Sequence, residues 1–261
     1  YANWGILHEG SSFHNGTHIS MPYADVRINI TYSSSRINVT LGSEFHIKTN
    51  ITQNATLAYV YPSPAGTNYE LTDDSYMHIY GNGTLINYTV IEYDNFTESI
   101  FTDNFLGNYP YVITYVNFAV FNIELAANTT MVLSTVSGAS FSANLERFDY
   151  HYIVGSARTF EGHTLEQVHF QVVEEQKFLR KSFGPNESLT VSEHRINLNT
   201  IITDAVWDFN ITEFSEDVLH LGVVVRNPVM DALTMIGTTL LIVFIIFIVY
   251  QFGYKKSKRI N

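Results

Sequence analysis

The chain contains no cysteine. That absence removes disulfide frameworks, zinc-thiolate sites, iron-sulfur clusters and thiol redox chemistry. It also leaves any domain outside the cytosol to stand on its hydrophobic core alone. Charge is scarce as well, at 15% of residues, while Tyr and Phe contribute 17 and 18. Polar surface must therefore come mostly from Asn, Ser and Thr, and the apolar share of 46% argues against disorder. Catalytic signatures are missing: the sequence holds no Gly-x-Ser-x-Gly elbow, P-loop, Rossmann glycine pattern or His-Glu-x-x-His. The expectation is a non-enzyme without a cofactor. Tyr1 opens the sequence without an initiator Met or a signal-peptide apolar core, so a cleaved secretory leader is expected.

Long apolar runs are confined to one place. From Ala232 to Tyr254 no residue is charged, a length of roughly 34 Å as a helix, enough for a tilted bilayer crossing. Asp231 precedes this run and Lys255, Lys256, Lys258 and Arg259 follow it. Basic clusters stay on the cytoplasmic side, so residues 1–228 are expected to form an extracytoplasmic domain, 229–254 a transmembrane helix and 255–261 a cytoplasmic tail. Tyr250, Phe252 and Tyr254 suit an interfacial aromatic belt, and Gly237, Thr238 and Thr239 form a small-residue patch that either seats a partner helix or faces lipid. The terminal Lys258-Arg259-Ile260-Asn261 resembles the dilysine retrieval signal of ER type I proteins, with Arg where that signal prefers Lys, and is read as stop-transfer charge. Net charge is -11, so without those four tail cations the rest carries -11 - 4 = -15. No nucleic-acid partner is expected for such a domain.

Asn-x-Ser/Thr sequons occur at Asn15, Asn29, Asn38, Asn50, Asn54, Asn82, Asn87, Asn95, Asn128, Asn186 and Asn210. With 22 Asn and 45 Ser plus Thr in 261 residues, chance would give about four. In a strand, residues i and i+2 share a face. A sequon with an apolar middle residue therefore turns both acceptor groups to solvent and its middle side chain to the core. Asn29-Ile30-Thr31, Asn38-Val39-Thr40, Asn50-Ile51-Thr52, Asn87-Tyr88-Thr89, Asn95-Phe96-Thr97 and Asn210-Ile211-Thr212 read this way.

Alternation of Val26, Ile28 and Ile30, then Ile37, Val39 and Leu41, predicts two strands joined through Tyr32 to Ser35. Tyr76 to Tyr80, the turn Gly81-Asn82-Gly83 and Thr84 to Tyr93 predict a second hairpin. Further strands are expected at Tyr111 to Leu125, Thr130 to Val136, Leu165 to Val173, Ile196 to Thr203 and Val218 to Val225. The expected fold is mainly β: an antiparallel β-sandwich, one large or two packed, plus one C-terminal transmembrane α-helix. Phe101 to Tyr109 is the candidate boundary. Residues 131 to 185 carry no sequon; they are either core strands or a glycan-free docking surface.

His14-Asn15-Gly16-Thr17-His18-Ile19-Ser20-Met21-Pro22 resembles the His-x-Gly-Thr-His-x-Asp-x-Pro motif of the metal-dependent cyclase and kynurenine formamidase family over nine residues. That resemblance implies a metal and catalytic set of two His and an Asp. Here the Asp position is Ser20, the family's later His falls on Ala24, and Asn15 is itself a sequon. Independently of any family, His8, His14, His18 and Met21 are suitable copper ligands, or surface histidines of a polar segment. His151, His163, His169 and His194 form a second loose group in which one axial ligand could serve a haem. Asp73-Asp74 reads as a calcium loop or a solvated turn, and Glu174-Glu175 on a strand would point to opposite faces. The stretches His169 to Glu175 and Leu219 to Val225 look faintly like β-modules that accompany thioredoxin-like domains in prokaryotic surface proteins.

Together these features lead to the expectation of a membrane-anchored glycoprotein at the cell surface, serving as an accessory or structural subunit of an envelope or membrane complex. Its partners would be other membrane proteins, met through the helix and residues 131–185. Dense Asn-x-Thr without cysteine favours an archaeal envelope, and a eukaryotic source would make it an ER membrane protein. The other class is a stand-alone receptor or adhesin using Tyr59-Val60-Tyr61-Pro62 or Asn108-Tyr109-Pro110-Tyr111.

Overall fold

The computed structural model describes residues 3–7, 18–33, 36–62, 76–92, 116–142, 147–154, 157, 160–175, 179–197, 199–216, 218–225 and 236–248. Fifteen strands run in chain order: β1 (Asn3–Leu7), β2 (Ile19–Tyr32), β3 (Arg36–Thr49), β4 (Gln53–Pro62), β5 (Tyr76–Gly81), β6 (Thr84–Ile86), β7 (Thr89–Glu92), β8 (Val116–Leu125), β9 (Thr130–Ser142), β10 (Arg147–Ile153), β11 (Leu165–Glu175), β12 (Leu179–Gly184), β13 (Leu189–Asn197), β14 (Thr200–Asn210) and β15 (Val218–Val225). They form an eight-stranded sheet in the order β13-β14-β11-β2-β3-β9-β5-β6, a four-stranded sheet β1-β4-β8-β7 and a three-stranded sheet β10-β15-β12. The fold is mainly β and sandwich-like. One departure from the antiparallel expectation stands at its centre, where β2 and β11 pair in parallel.

Period-2 patterning builds the core. Val26, Ile28, Ile30 and Tyr32 of β2 are buried, and they pair with Ser43, Leu41, Val39 and Ile37 of β3 on the same face. Val168, Phe170 and Val172 of β11 continue the row, as do Ala205 and Trp207 of β14. Full burial of each large apolar side chain is worth about 1.5–3 kcal/mol. Two smaller sheets cover this inner face. From the four-stranded sheet Tyr59 reaches Thr135, whose hydroxyl also bonds Ser43. From the three-stranded sheet Phe148 meets Tyr32 and Tyr150 meets Phe170 edge to face, and Tyr152 donates to Glu166 at 2.9 Å.

The first hairpin forms as expected, with Tyr32 opposite Ile37, and both strands are longer than the sequence pattern marked. Pro22, which has no N–H to offer a ladder, sits where the β2–β3 register shifts between Ser20 and Tyr23. The second hairpin turns on Asn82 and Gly83 alone, both at positive φ (49° and 79°), the signature of a type I′ turn. Its second strand ends at Ile86, and the chain then crosses to the other sheet as β7.

Three expectations are corrected. Ile196 to Thr203 is not one strand, because β13 ends at Asn197 and β14 starts at Thr200. Ile51 is exposed at 46% because β3 has already ended at Thr49 and no longer enforces alternation. Tyr59 lies in the core rather than in a ligand-binding loop, since β4 continues to Pro62. Among the described residues no helix is long and apolar enough to cross a membrane; 236–248 is helical with exposed side chains and lies inside the uncharged run. The candidate boundary at Phe101 to Tyr109, Asp73-Asp74 and Asn108 to Tyr111 fall outside the described residues.

Candidate functional site

The sheet's two ends differ in a way that bears on function. At one end Ile19 pairs with Thr49, Lys48 with Thr130, Leu165 with Asn210 and Gly81 with Leu133. Asn50, Asn82, Asn128, Asn186 and Asn210 all lie in or next to the connections of this end, and the Asn128 N–H donates to Thr49 O at 2.8 Å. Asn54 belongs there too, because its neighbour Gln53 donates to Thr49 Oγ1 at 2.8 Å. At the opposite end Tyr32 pairs with Ile37, Arg36 with Ser142 and Glu175 with Thr200. The sequon Asn38 stands one residue pair from the Tyr32–Ile37 turn, and the connection from β7 to β8, which leaves beside Asn117 and returns opposite Pro62 at this end, carries the sequon of Asn95, outside the described residues.

Each of the nine described acceptors, all but Asn15 and Asn95, is exposed or half-buried. Asn29 and Asn38 project from the outer face of the large sheet, where Asn38 Oδ1 accepts from Ser140 Oγ at 2.7 Å. Asn210 closes an Asx turn, its Oδ1 accepting from both the Thr212 N–H (3.2 Å) and its hydroxyl (2.9 Å). Ile30 and Val39 are buried between their acceptor and hydroxyl residues as the alternation requires, and Ile211, in the turn just past β14, is buried as well. Tyr88 is half-buried and Phe96 lies outside the described residues.

Six of the nine described sequons, Asn50, Asn54, Asn82, Asn128, Asn186 and Asn210, lie at the end away from the chain's exit. β15 runs toward the end of the β2–β3 turn: Val225 pairs with Leu179, whose N–H donates to Glu174 Oε2 at 3.2 Å near the end of β11. The uncharged run from 232 follows in the sequence. Residues 131–185 form no single surface, since the inner faces of β9 and β11 are core. Their exposed parts include Arg180 and Glu175, both at the end of the β2–β3 turn.

Histidines meet carboxylates at several points. Asp204 of β14 is held from both sides, with His169 Nε2 at 2.9 Å, Gln171 Nε2 donating at 2.9 Å, and His194 Nδ1 at 3.7 Å. Burial by itself would raise the Asp204 pKa, but the hydrogen bonds from Gln171 and His169 and the two imidazoles outweigh it, and the carboxyl sits below its ordinary value. On the three-stranded sheet His220 lies 3.2 Å from Asp149 and stacks on His151 at 4.8 Å. His163 contacts Thr212 at 3.1 Å. Thus the loose group His151, His163, His169 and His194 separates into three places.

The N-terminal metal expectation is not assembled. Met21 is fully buried in the core and Ala24, at the motif's later His position, is buried too. Ser20 is occupied with the Lys48 carbonyl at 3.3 Å, and the His18 N–H donates to Glu161 Oε1 at 3.2 Å. His8 and His14 lie outside the described residues. Among the described residues no group of three or more His, Asp or Glu is arranged to hold a metal ion. Glu174 and Glu175 do point apart, Glu174 buried and Glu175 exposed. Glu174 accepts from Lys181, which also reaches Glu193 at 3.2 Å and Thr203 at 2.6 Å. The Lys181 hydrogen bond, with the ammonium charge, outweighs desolvation and holds the Glu193 carboxyl below its usual range. Sequence reading missed this network and the Asp149-His220 pair, because strand order and register decide them.

No protein-family model and no curated protein sequence matches the chain. Among solved structures it is similar to a proposed nutrient-binding protein of Legionella pneumophila, with a TM-score of 0.54 and 11% identity over 78% of this chain and 67% of that one. An M1 zinc metallopeptidase of Deinococcus radiodurans aligns at a TM-score of 0.38 and 6% identity, over 80% of this chain and 43% of that one. The chain thus spans about two fifths of the peptidase. The first likeness is one of fold, and the second carries no argument.

Proposed function

We propose that this chain is a non-catalytic, single-pass membrane glycoprotein, an accessory or structural subunit of a cell-envelope or membrane protein complex. Its β domain stands outside the cytoplasm, 229–254 crosses the membrane and 255–261 remains inside. The observation that carries this reading is the exposure of the sequons together with the apolar run: all nine described sequon asparagines are exposed or half-buried, Asn50, Asn54, Asn82, Asn128, Asn186 and Asn210 lie around the end of the large sheet away from the chain's exit, and an uncharged run follows from Ala232 to Tyr254. Oligosaccharides need water, and an anchor needs the bilayer. A domain that turns its acceptors to solvent and is followed by an apolar run satisfies both. The helix at 236–248, with Ile, Leu, Val and Phe side chains exposed, supports the anchor. An archaeal envelope remains the source favoured by dense Asn-x-Thr without cysteine.

The second reading is a stand-alone surface receptor or adhesin. Its support is the fold likeness to a proposed nutrient-binding protein.

Extraction of the native protein in mild detergent and mass analysis of the intact assembly separates the two. Co-purifying subunits in fixed ratio are the result expected of an accessory subunit. A bare glycosylated monomer that captures a small molecule or glycan would replace it with the receptor.

A further inference from the structure

Two sequons interlock on the outer face of the large sheet. Asn29 stands opposite Thr40 and Thr31 opposite Asn38, so each acceptor faces the hydroxyl residue of the other sequon across β2 and β3. Asn38 also pairs with Ser140 of β9, and its Oδ1 accepts from Ser140 Oγ at 2.7 Å. That bond holds the side chain toward β9 by its oxygen and leaves the Nδ2 side of the amide, the atom to which a sugar is joined, for the oligosaccharide.

On the other side of β9, Tyr76 of β5 pairs with Gly138, two residues before Ser140. A Cβ on Gly138 would stand 2.6 Å from Tyr76 Cε1, 2.9 Å from Cζ and 3.0 Å from Oη. The ring therefore lies across the glycine toward β3, and Tyr76 is still 46% exposed. Exposed His78, next on the same face of β5, follows at 5.9 Å with its ring tilted by 31°. Covering a strand glycine with an aromatic ring supplies packing that the glycine lacks, but it uses one face of the ring only. Asn38 and Tyr76 are two strand spacings and two residues apart, about 12 Å between Cα atoms. Both side chains reach inward over β9, so the gap left between amide and ring is on the order of one sugar ring.

The geometry points to the oligosaccharide on Asn38 as the occupant of this face: its first sugars lie down over β9 and stack on Tyr76. This inference rests on the glycoprotein reading above. A pyranose presents a face of C–H groups, apolar and weakly positive, which suits the negative face of an aromatic ring, while its hydroxyls stay in water around the rim. Asn29 stands on β2, one strand farther from Tyr76, and its first sugar falls short of the ring. The outer face of β9 belongs to the stretch 131–185, which carries no sequon of its own. A sugar from β3 screens that face, so a protein partner must dock on another part of the stretch.

Hydroxyl-radical footprinting of the full-length protein from its native host, read by mass spectrometry, tests this at Tyr76. Asn38→Gln and Thr40→Val delete the same sequon through different side chains, so either one that folds serves as the unglycosylated reference. The expected result is that Tyr76 is oxidised several-fold more slowly in wild type than in these variants. Tyr23, 37% exposed and nearer the opposite end of the same sheet, should react equally in all of them, and Asn29→Gln should leave Tyr76 protected. Wild-type protein that carries sugar on Asn38 yet oxidises Tyr76 at the variant rate overturns the stacking and leaves the glycoprotein reading standing. Protection lost in Asn29→Gln and kept in Asn38→Gln overturns the assignment to Asn38. A bare Asn38 beside occupied sequons elsewhere defeats this inference alone, whereas a chain bare at every sequon defeats it together with the glycoprotein reading.

Discussion

Lys181 of the three-stranded sheet reaches across the sandwich to Glu174 of the large sheet, and the two side chains are only 8% and 4% exposed. Two opposite charges are thereby placed at the seam between sheets. Removing one partner leaves the other buried without compensation, a change that costs about 3–5 kcal/mol. Lys181→Met should therefore lower the urea midpoint substantially. Lys181→Met with Glu174→Leu should recover most of the loss, because a matched apolar pair leaves no buried charge. A double variant as unstable as the single would mean that Lys181 acts chiefly through Glu193 and Thr203.

Asp204 predicts a pH dependence with a definite sign. Its carboxyl pKa is lowered in the fold: the desolvation that would raise it is outweighed by Gln171 and His169 hydrogen bonds and the neighbouring imidazoles. A carboxyl with a depressed folded value contributes stability above its unfolded value, about pH 4. That contribution disappears as pH falls through the lower folded value. Urea titrations of wild type and Asp204→Asn should differ between pH 5 and 7 and converge at lower pH. A difference that grows on acidification would reverse the assignment.

Alternation in Val26 to Leu41 reveals the first hairpin, and Asn82-Gly83 reveals the second, because a period of two and a pair of positive-φ residues are local properties. The sequon pattern marks Ile30 and Val39 as core for the same reason, whereas Ile211 is buried in a turn past the end of β14. Ile51 escapes that logic, since a sequon just past Thr49 keeps its spelling without the strand that gives it a face. The parallel pairing of β2 with β11 joins residues far apart in sequence, and no local pattern reports it. His220 beside Asp149, and His169 and His194 around Asp204, likewise depend on strand order. Where the sequons stand relative to the chain's exit becomes legible only once the registers are known.

Gly222 is the floor beneath the Asp149-His220 pair. A Cβ there would stand 2.7 Å from Ser182 Oγ, 3.1 Å from Asp149 Oδ1 and 3.1 Å from His220 Cε1. Three polar side chains must move to admit one methyl group. Gly222→Ala should cost about 1–3 kcal/mol, typical of over-packing, and should shift the His220 imidazole resonance in NMR. Gly42, with open space at its Cβ position, is the control: Gly42→Ala should be close to neutral.

Asn197 closes β13 at the end where β15 leaves the fold, and its Oδ1 accepts the Asn199 N–H at 2.8 Å. Asn199→Thr would complete a sequon there, with Asn197 as the acceptor at an exposed position. Asn199→Val has a similar shape but offers no hydroxyl, so the difference between the two variants isolates the glycan. In the native host the Asn199→Thr variant should gain one oligosaccharide by mass. If this end abuts the bilayer or neighbouring subunits, that oligosaccharide should reduce co-purification of partners at least several-fold, with Asn199→Val behaving as wild type. The sequons of Asn50, Asn82 and Asn128 would place any oligosaccharide at the opposite end, so Asn→Gln at those positions should leave partner recovery unchanged. A glycosylated Asn197 with full partner recovery would show that this end faces water, and would move the proposed docking surface elsewhere on the domain.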